Sequence, residues 1–192
     1  MNYNKHFELR DKHAFLGASK YHWLNYDTDK LTQTYLRAQA VLRGTELHAF
    51  AAKCIELKQK LPKSKKTLNN FVNDAIGFRM VSEQILYYSE NCFGTADAIS
   101  DLNSVLKTKV LRIHDLKTGD IPAHMEQLEI YAALFCLEYH MKPSELADIE
   151  LRIYQSGEII AHHPSSEDID QIINKIISFD KVIKRLKIEE DL

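Results

Sequence analysis

Three segments decide how this chain is read: CFGTADAI (92–99), VLRIHDLKTGD (110–120) and IPAHMEQLEIYAALF (121–135). The first two have the β-branched, apolar texture of short strands, and the third has helical spacing. Asp97, Asp115 and Lys117 are thereby placed on two neighbouring strands, with Gln127 and Tyr131 one helical turn apart. Two carboxylates and a lysine converging in this way can hold a divalent cation beside a phosphate.

Side chains alternate along a strand, so Asp115 and Lys117 share a face with Ile113, while His114 and Leu116 take the other. A D-x-K triplet is common, and a surface ion pair would explain it. Its neighbours Val110, Leu111, Ile113 and Leu116 instead mark a largely buried strand. Burying an aspartate and a lysine costs several kcal/mol unless something offsets it. Asp97, flanked by Ala96, Ala98 and Ile99, raises the same question, and a divalent cation would answer both. Metal-dependent phosphodiester hydrolysis needs hard oxygen ligands, an open position for water and a cation near that water. Asp97 and Asp115 supply the first and Lys117 the last, with the Leu116 carbonyl a further candidate ligand.

Working outward, residues 1–28 read as an aromatic, irregular arm with a short helix near 18–24, followed by a helix over 29–42. A second helical stretch opens or continues at Arg43-Gly44-Thr45, with Leu47, Phe50, Ala51, Cys54, Leu57 and Leu61 at helical spacing and Pro62 as its end. Thr67 can cap the next helix, whose stripe is Leu68, Phe71, Val72, Ala75 and Phe78. Strands are expected over 85–90, 94–99 and 109–117, joined as antiparallel hairpins through Asn91 and SDLNS (100–104). Asp120 and Pro122 are expected to start a helix with Met125, Leu128, Ala132, Phe135 and Tyr139 inward. Strands at 149–155 and 158–162 meet at Ser156-Gly157. Ser165 or Ser166 then caps a long helix bearing Ile169, Ile172, Ile173, Ile176, Ile183 and Leu186, read as a cover for the sheet. The expectation is a single α/β domain over 1–192: a helical part (1–81), a mixed sheet of about five strands with one helix (82–162) and a C-terminal helix (163–192).

Composition narrows the classes. A hydrophobic fraction of 45% and a charged fraction of 27% suit a globular domain. No apolar run approaches the roughly 20 residues that span a bilayer. The first residues are too polar for a secretory signal, so a cytoplasmic location, bacterial or in a host cell, and no membrane partner are expected. The three cysteines, Cys54, Cys92 and Cys136, form neither a zinc pattern nor a disulfide framework. A net charge of −2 does not mark a nucleic-acid binder, although phosphate contacts depend on local clusters. Lys58, Lys60, Lys63, Lys65 and Lys66 form one such cluster around Pro62, and a solvated loop explains it equally well. HExxH, G-x-S-x-G and P-loop patterns are absent.

Taken together, RGTELH (43–48), GTADAI (94–99), HDLKTG (114–119) and MEQLEIY (125–131) resemble the PD-(D/E)XK nucleases, specifically their RecB-type branch. The matching positions are Gly44 with His48, Gly94 with Asp97, Asp115 and Lys117 with Thr118 and Gly119, and Gln127 with Tyr131. HAFLGASKYHWL (13–24) is similar to the entry segment of viral and prophage members. The resemblance implies a restriction-endonuclease-like core. It also implies His48 as a metal ligand beside Asp97, Asp115 and the Leu116 carbonyl, and Lys117 as the group that orients the attacking water. Gln127 and Tyr131 would support the active site and contact DNA, although a helix side chain and a core aromatic also account for them.

The cofactor so implied is Mg²⁺ or Mn²⁺, the histidine favouring Mn²⁺, and the partner is single- or double-stranded DNA. The cysteines do not match the iron–sulfur cluster of some relatives, so no such cluster is expected. The expected activity is that of a deoxyribonuclease, an exonuclease first, in viral or bacterial DNA recombination, repair or processing. The alternative is a non-catalytic nucleic-acid-binding module or an accessory subunit of a DNA-processing complex. A homo-oligomer or a recombination-protein partner is compatible with either.

Overall fold

Asp27 begins the longest helix by accepting the Lys30 backbone N–H on its Oδ1 at 2.7 Å, the arrangement that satisfies an orphan donor at a helix start. That helix, α1, runs Thr28–Glu56, and α2 (Thr67–Gly77), β1 (Val81–Ser89), β2 (Cys92–Asn103), β3 (Lys109–Lys117), α3 (Glu126–Glu138), β4 (Asp148–Gln155), β5 (Glu158–His162) and α4 (Ser166–Glu190) follow. The computed structural model describes residues 5–10, 12–103, 109–119 and 122–190. The chain packs as two units, residues 1–43 and 44–192. In the first, 3₁₀ turns at Phe7–Leu9 and Ala18–Asn25 precede α1. The Trp23 indole donates to the Gly17 carbonyl at 3.0 Å, and Phe15 meets Tyr35 edge-on.

In the second unit the sheet order is β1-β2-β3-β4-β5. The β1–β2, β2–β3 and β4–β5 pairs are antiparallel and β3–β4 is parallel. This is the mixed five-strand α/β sheet expected, after a helical N-terminal part. One face carries Leu86, Leu111, Ile113, Leu151 and Ile153 against α3. The other carries Ala98, Leu116 and Tyr154 against Ala51, Cys54 and Ile55 of α1 and Phe71, Val72 and Ala75 of α2. On that face the Tyr154 hydroxyl donates to Asp74 Oδ2 at 2.8 Å and lies 3.2 Å from His114 Nδ1. Burial, and then the charges of Arg152 and Arg112, push His114 down to about 3, so it is neutral at physiological pH.

Several details differ from the sequence reading. The segment from Arg43 continues α1, which ends at Glu56, before Pro62. Gln59 N–H reaches the Cys54 carbonyl and Lys58 N–H the Ile55 carbonyl, with Lys58 at φ +54, a Schellman termination. The buried side of α1 in this unit carries Gly44, Ala51, Cys54 and Ile55, whereas Leu47, Phe50 and Leu57 are exposed. Thr67 is the first residue of α2 and caps nothing; its hydroxyl accepts the Gly157 N–H at 2.7 Å. Residues 100–103 extend β2 instead of turning. Pro122 precedes α3, which starts at Glu126, and Asp120 lies outside the described residues. Ser165 does cap α4, its Oγ accepting the Asp168 N–H while Asp168 accepts the Ser165 N–H. Because α3 already occupies that face of the sheet, α4 packs on α3. Among the described residues no helix is long and apolar enough to cross a membrane.

Leu151 is fully buried in β4 between layers. Leu151→Ala is expected to lower unfolding free energy by about 2–5 kcal/mol, read as a lower urea midpoint at unchanged m-value. A midpoint equal to the parent's would contradict this core assignment.

Candidate active site

The β2–β3 ladder runs from Asn103↔Lys109 up to Ala98↔His114. Beyond that pair a side chain takes over: Asp97 Oδ2 accepts the backbone N–H of Leu116 at 2.8 Å. Asp97 therefore stitches the two strands together where the candidate site begins. His48, from α1, places Nδ1 3.3 Å from the same oxygen. Lys117 Nζ donates to Asp115 Oδ1 at 3.2 Å and stands 3.0 Å from Oδ2, which is buried without an aligned hydrogen bond. The same ammonium donates to Gln127 Oε1 at 2.8 Å, and Gln127 Nε2 donates to the Tyr131 hydroxyl at 3.0 Å. Asp97, Asp115, Lys117, Gln127, Tyr131 and His48 are thus linked through short contacts. Leu116 contributes its N–H to this assembly while its side chain lies in the opposite core.

Two glycines make the assembly fit. A Cβ on Gly44 would lie 2.8 Å from Thr118 Oγ1, so the missing side chain lets α1 approach the end of β3 and brings His48 within reach. A Cβ on Gly94 would lie 2.8 Å from Tyr131 Cε1, so the Tyr131 ring packs on β2 only because nothing projects there. Gln155, at the end of β4, anchors the loop after β3: it donates to the Gly119 carbonyl at 2.6 Å and accepts the Ala123 N–H at 3.2 Å.

The electrostatics follow from burial and like charge. The Asp115 side chain is only 4% exposed. Burial first, and the nearby Asp97 charge second, raise its pKa, while Lys117 opposes the rise. His48 is raised chiefly by its hydrogen bond to Asp97, against the lowering effect of burial.

One residue at this site carried no signal in the sequence reading. Glu83 lies on β1, four strand positions of which precede the segment expected from composition. Among the described residues, His48, Glu83 and Asp97 place one ligand-type atom each within 4.8 Å of one another. Asp115 falls outside that group. A Glu in VSEQ, between polar neighbours, reads as a solvated loop residue, and only its register with Asp97 reveals it. No protein-family model, curated protein or solved structure matches this chain.

Because a raised histidine gains its partner on folding, the His48–Asp97 contact adds stability that is fully present below pH 6.5 and is lost as pH rises through the folded-state pKa. In metal-free protein the His48 ring should titrate above 6.5 by NMR, and lower in Asp97→Asn than in the parent, because the hydrogen bond and charge that raise it most are lost. An unchanged His48 titration in Asp97→Asn would contradict the assigned contact.

Proposed function

We propose that this chain is a divalent-metal-dependent deoxyribonuclease with a restriction-endonuclease-like core of the RecB-type PD-(D/E)XK kind. The observation that carries the reading is the gathering of Asp97, Asp115 and Lys117 at the end of β3, with Lys117 fixed by Gln127. The residues fit a hard cation, since Asp115 presents a buried carboxylate oxygen lacking an aligned hydrogen bond beside a second carboxylate. Asp97, Asp115 and the Leu116 carbonyl would hold Mg²⁺ or Mn²⁺, which polarises a phosphodiester and lowers the pKa of bound water.

The remaining work falls to the chain. Asp115 holds the Lys117 ammonium by charge, and Gln127 fixes its direction. From there Lys117 can orient an attacking water and stabilise charge that develops on the phosphoryl oxygens. Tyr131, seated against Gly94, holds Gln127 in turn. A groove of about 880 Å³ is lined by Glu83, by Lys53 paired with Glu56 at 2.9 Å, and by Lys58 and Arg79, the two further cations it offers a phosphate backbone. This supports DNA as the substrate, with an exonuclease in viral or bacterial DNA recombination, repair or processing as the role.

The test is incubation of the pure protein with linear, circular and single-stranded DNA in Mg²⁺, Mn²⁺ or EDTA. Cleavage is expected with either metal and none in EDTA. Lys117→Ala and Asp115→Asn should each lose roughly 10²–10³-fold or more in turnover, the scale for removing a positioned transition-state donor. No cleavage of any substrate would leave the non-catalytic binding module, and full turnover in either variant would place the chemistry elsewhere.

A further inference from the structure

A run of like charge lies outside the site described so far. Residues 57–73 carry five lysines and no aspartate or glutamate, in a chain whose net charge is −2. The segment follows the last residue of α1 and runs through the connecting loop into α2. We propose that this loop binds the phosphate backbone of DNA, without reading its bases, a few nucleotides from the phosphodiester held beside Lys117. The proposal rests on the hydrolase reading for where that phosphodiester lies. It adds a grip on the substrate separate from the cation and Lys117.

The lysines are uncommitted. Lys53, Lys117 and Lys184 each pair with a carboxylate. Lys58, Lys60, Lys63, Lys65 and Lys66 are exposed and form no ion pair among the described residues. An uncompensated cluster of one sign raises the local potential and gathers polyanions. A solvated loop would explain lysines on a loose backbone, but this backbone is tied down. Leu61 donates its N–H to Asn73 Oδ1 and its carbonyl accepts from Asn73 Nδ2, both at 2.9 Å. Asn69 Nδ2 donates to the Pro62 carbonyl at 2.8 Å, and the Ser64 hydroxyl accepts the Lys66 N–H at 3.2 Å. The Leu61 side chain packs against the core beneath α2. Lysines carried on a fixed backbone have less freedom to lose on binding.

The loop also encloses a recess. It measures about 500 Å³ and is lined by Lys60, Lys63, Ser64, Asn70, Asn73 and Asp74. Half-buried Asn70 makes no side-chain hydrogen bond among the described residues, so its amide is a donor available beside two ammonium groups. Asp74, the acid in the recess, is already engaged: its Oδ2 accepts the Tyr154 hydroxyl at 2.8 Å and lies 3.5 Å from the Arg152 guanidinium. Ammonium and amide donors converging on one recess suit phosphate oxygens, which position a nucleic acid without specifying sequence.

Anchoring places the loop near the catalytic end of the sheet. The Gly157 N–H donates to Thr67 Oγ1 at 2.7 Å, which ties the start of α2 to the β4–β5 turn. That turn follows Gln155, the register partner of Lys117. Strand spacing and rise put the loop roughly 15 Å from Lys117, a distance that a few nucleotides of backbone cover.

Fluorescence anisotropy of the full chain with a labelled DNA single strand and a labelled duplex, in EDTA across roughly 50–200 mM NaCl, tests the loop without relying on activity. Lys63→Gln/Lys65→Gln should weaken binding by about tenfold or more at the lowest salt. It should also flatten the log–log salt dependence by about 0.7 per lysine for the single strand and about 0.9 for the duplex. Lys63→Arg/Lys65→Arg keeps the charge and should bind like the parent. Lys175→Gln/Lys181→Gln removes the same charge from α4 and should leave the slope unchanged. All six side chains changed are exposed in the parent, so melting temperatures should match. No binding by the parent, or equal losses in the loop and α4 pairs, overturns the proposal. With Mg²⁺ or Mn²⁺ the loop pair should raise KM for DNA and spare kcat, while bis(p-nitrophenyl) phosphate, too small to reach the loop, is hydrolysed at the parent rate. DNA cleaved with unchanged KM in the loop pair would sink the loop and leave the hydrolase standing. Loop-dependent binding without any cleavage would uphold the loop and sink the hydrolase.

Discussion

Two carboxylates, Asp97 and Asp115, sit close together where the β2–β3 ladder stops, and neighbouring elements are arranged to keep them there. Like charges in a partly buried position repel, and burial alone would tend to neutralise them. Here a lysine on the same strand, a histidine from α1 and a backbone N–H hold them. None of these partners is placed by accident of composition. Lys117 follows from strand alternation, His48 from the bare surface of Gly44 one turn earlier, and the Leu116 N–H from the end of the ladder.

The sheet makes this arrangement rigid. β3 is central, antiparallel to β2 on one edge and parallel to β4 on the other, so its last residues are held although β2 has diverged. Apolar layers on both faces bury the strand, while Gln155 ties down the loop that follows. A site built on a strand end supported in this way is already organised, which is what transition-state stabilisation by fixed charges requires.

How much of this could be read beforehand depends on how local each signal is. The alternation in VLRIHDLK gives the faces of Asp115 and Lys117 directly, and the helical spacing of Gln127 and Tyr131 gives theirs. Gly44 and Gly94 could be recognised as parts of motifs, but not as the points where Thr118 and Tyr131 make close approach, because those contacts join distant segments. Glu83 was invisible because its meaning lies in cross-strand register, and VSEQ carries no β-branched run to announce a strand. The end of α1 was misplaced for a related reason: the helix closes on Lys58 in a left-handed conformation, without the glycine that marks such a stop in sequence.

Whether the two carboxylates are a metal site is the claim on which the functional account turns. Anomalous diffraction from crystals of the full chain soaked in Mn²⁺ addresses it most directly. The account requires a manganese peak within bonding distance of the Asp97 and Asp115 carboxylates in the wild-type chain, and its loss in Asp115→Asn. A wild-type crystal at saturating Mn²⁺ with no peak between those two carboxylates would contradict it.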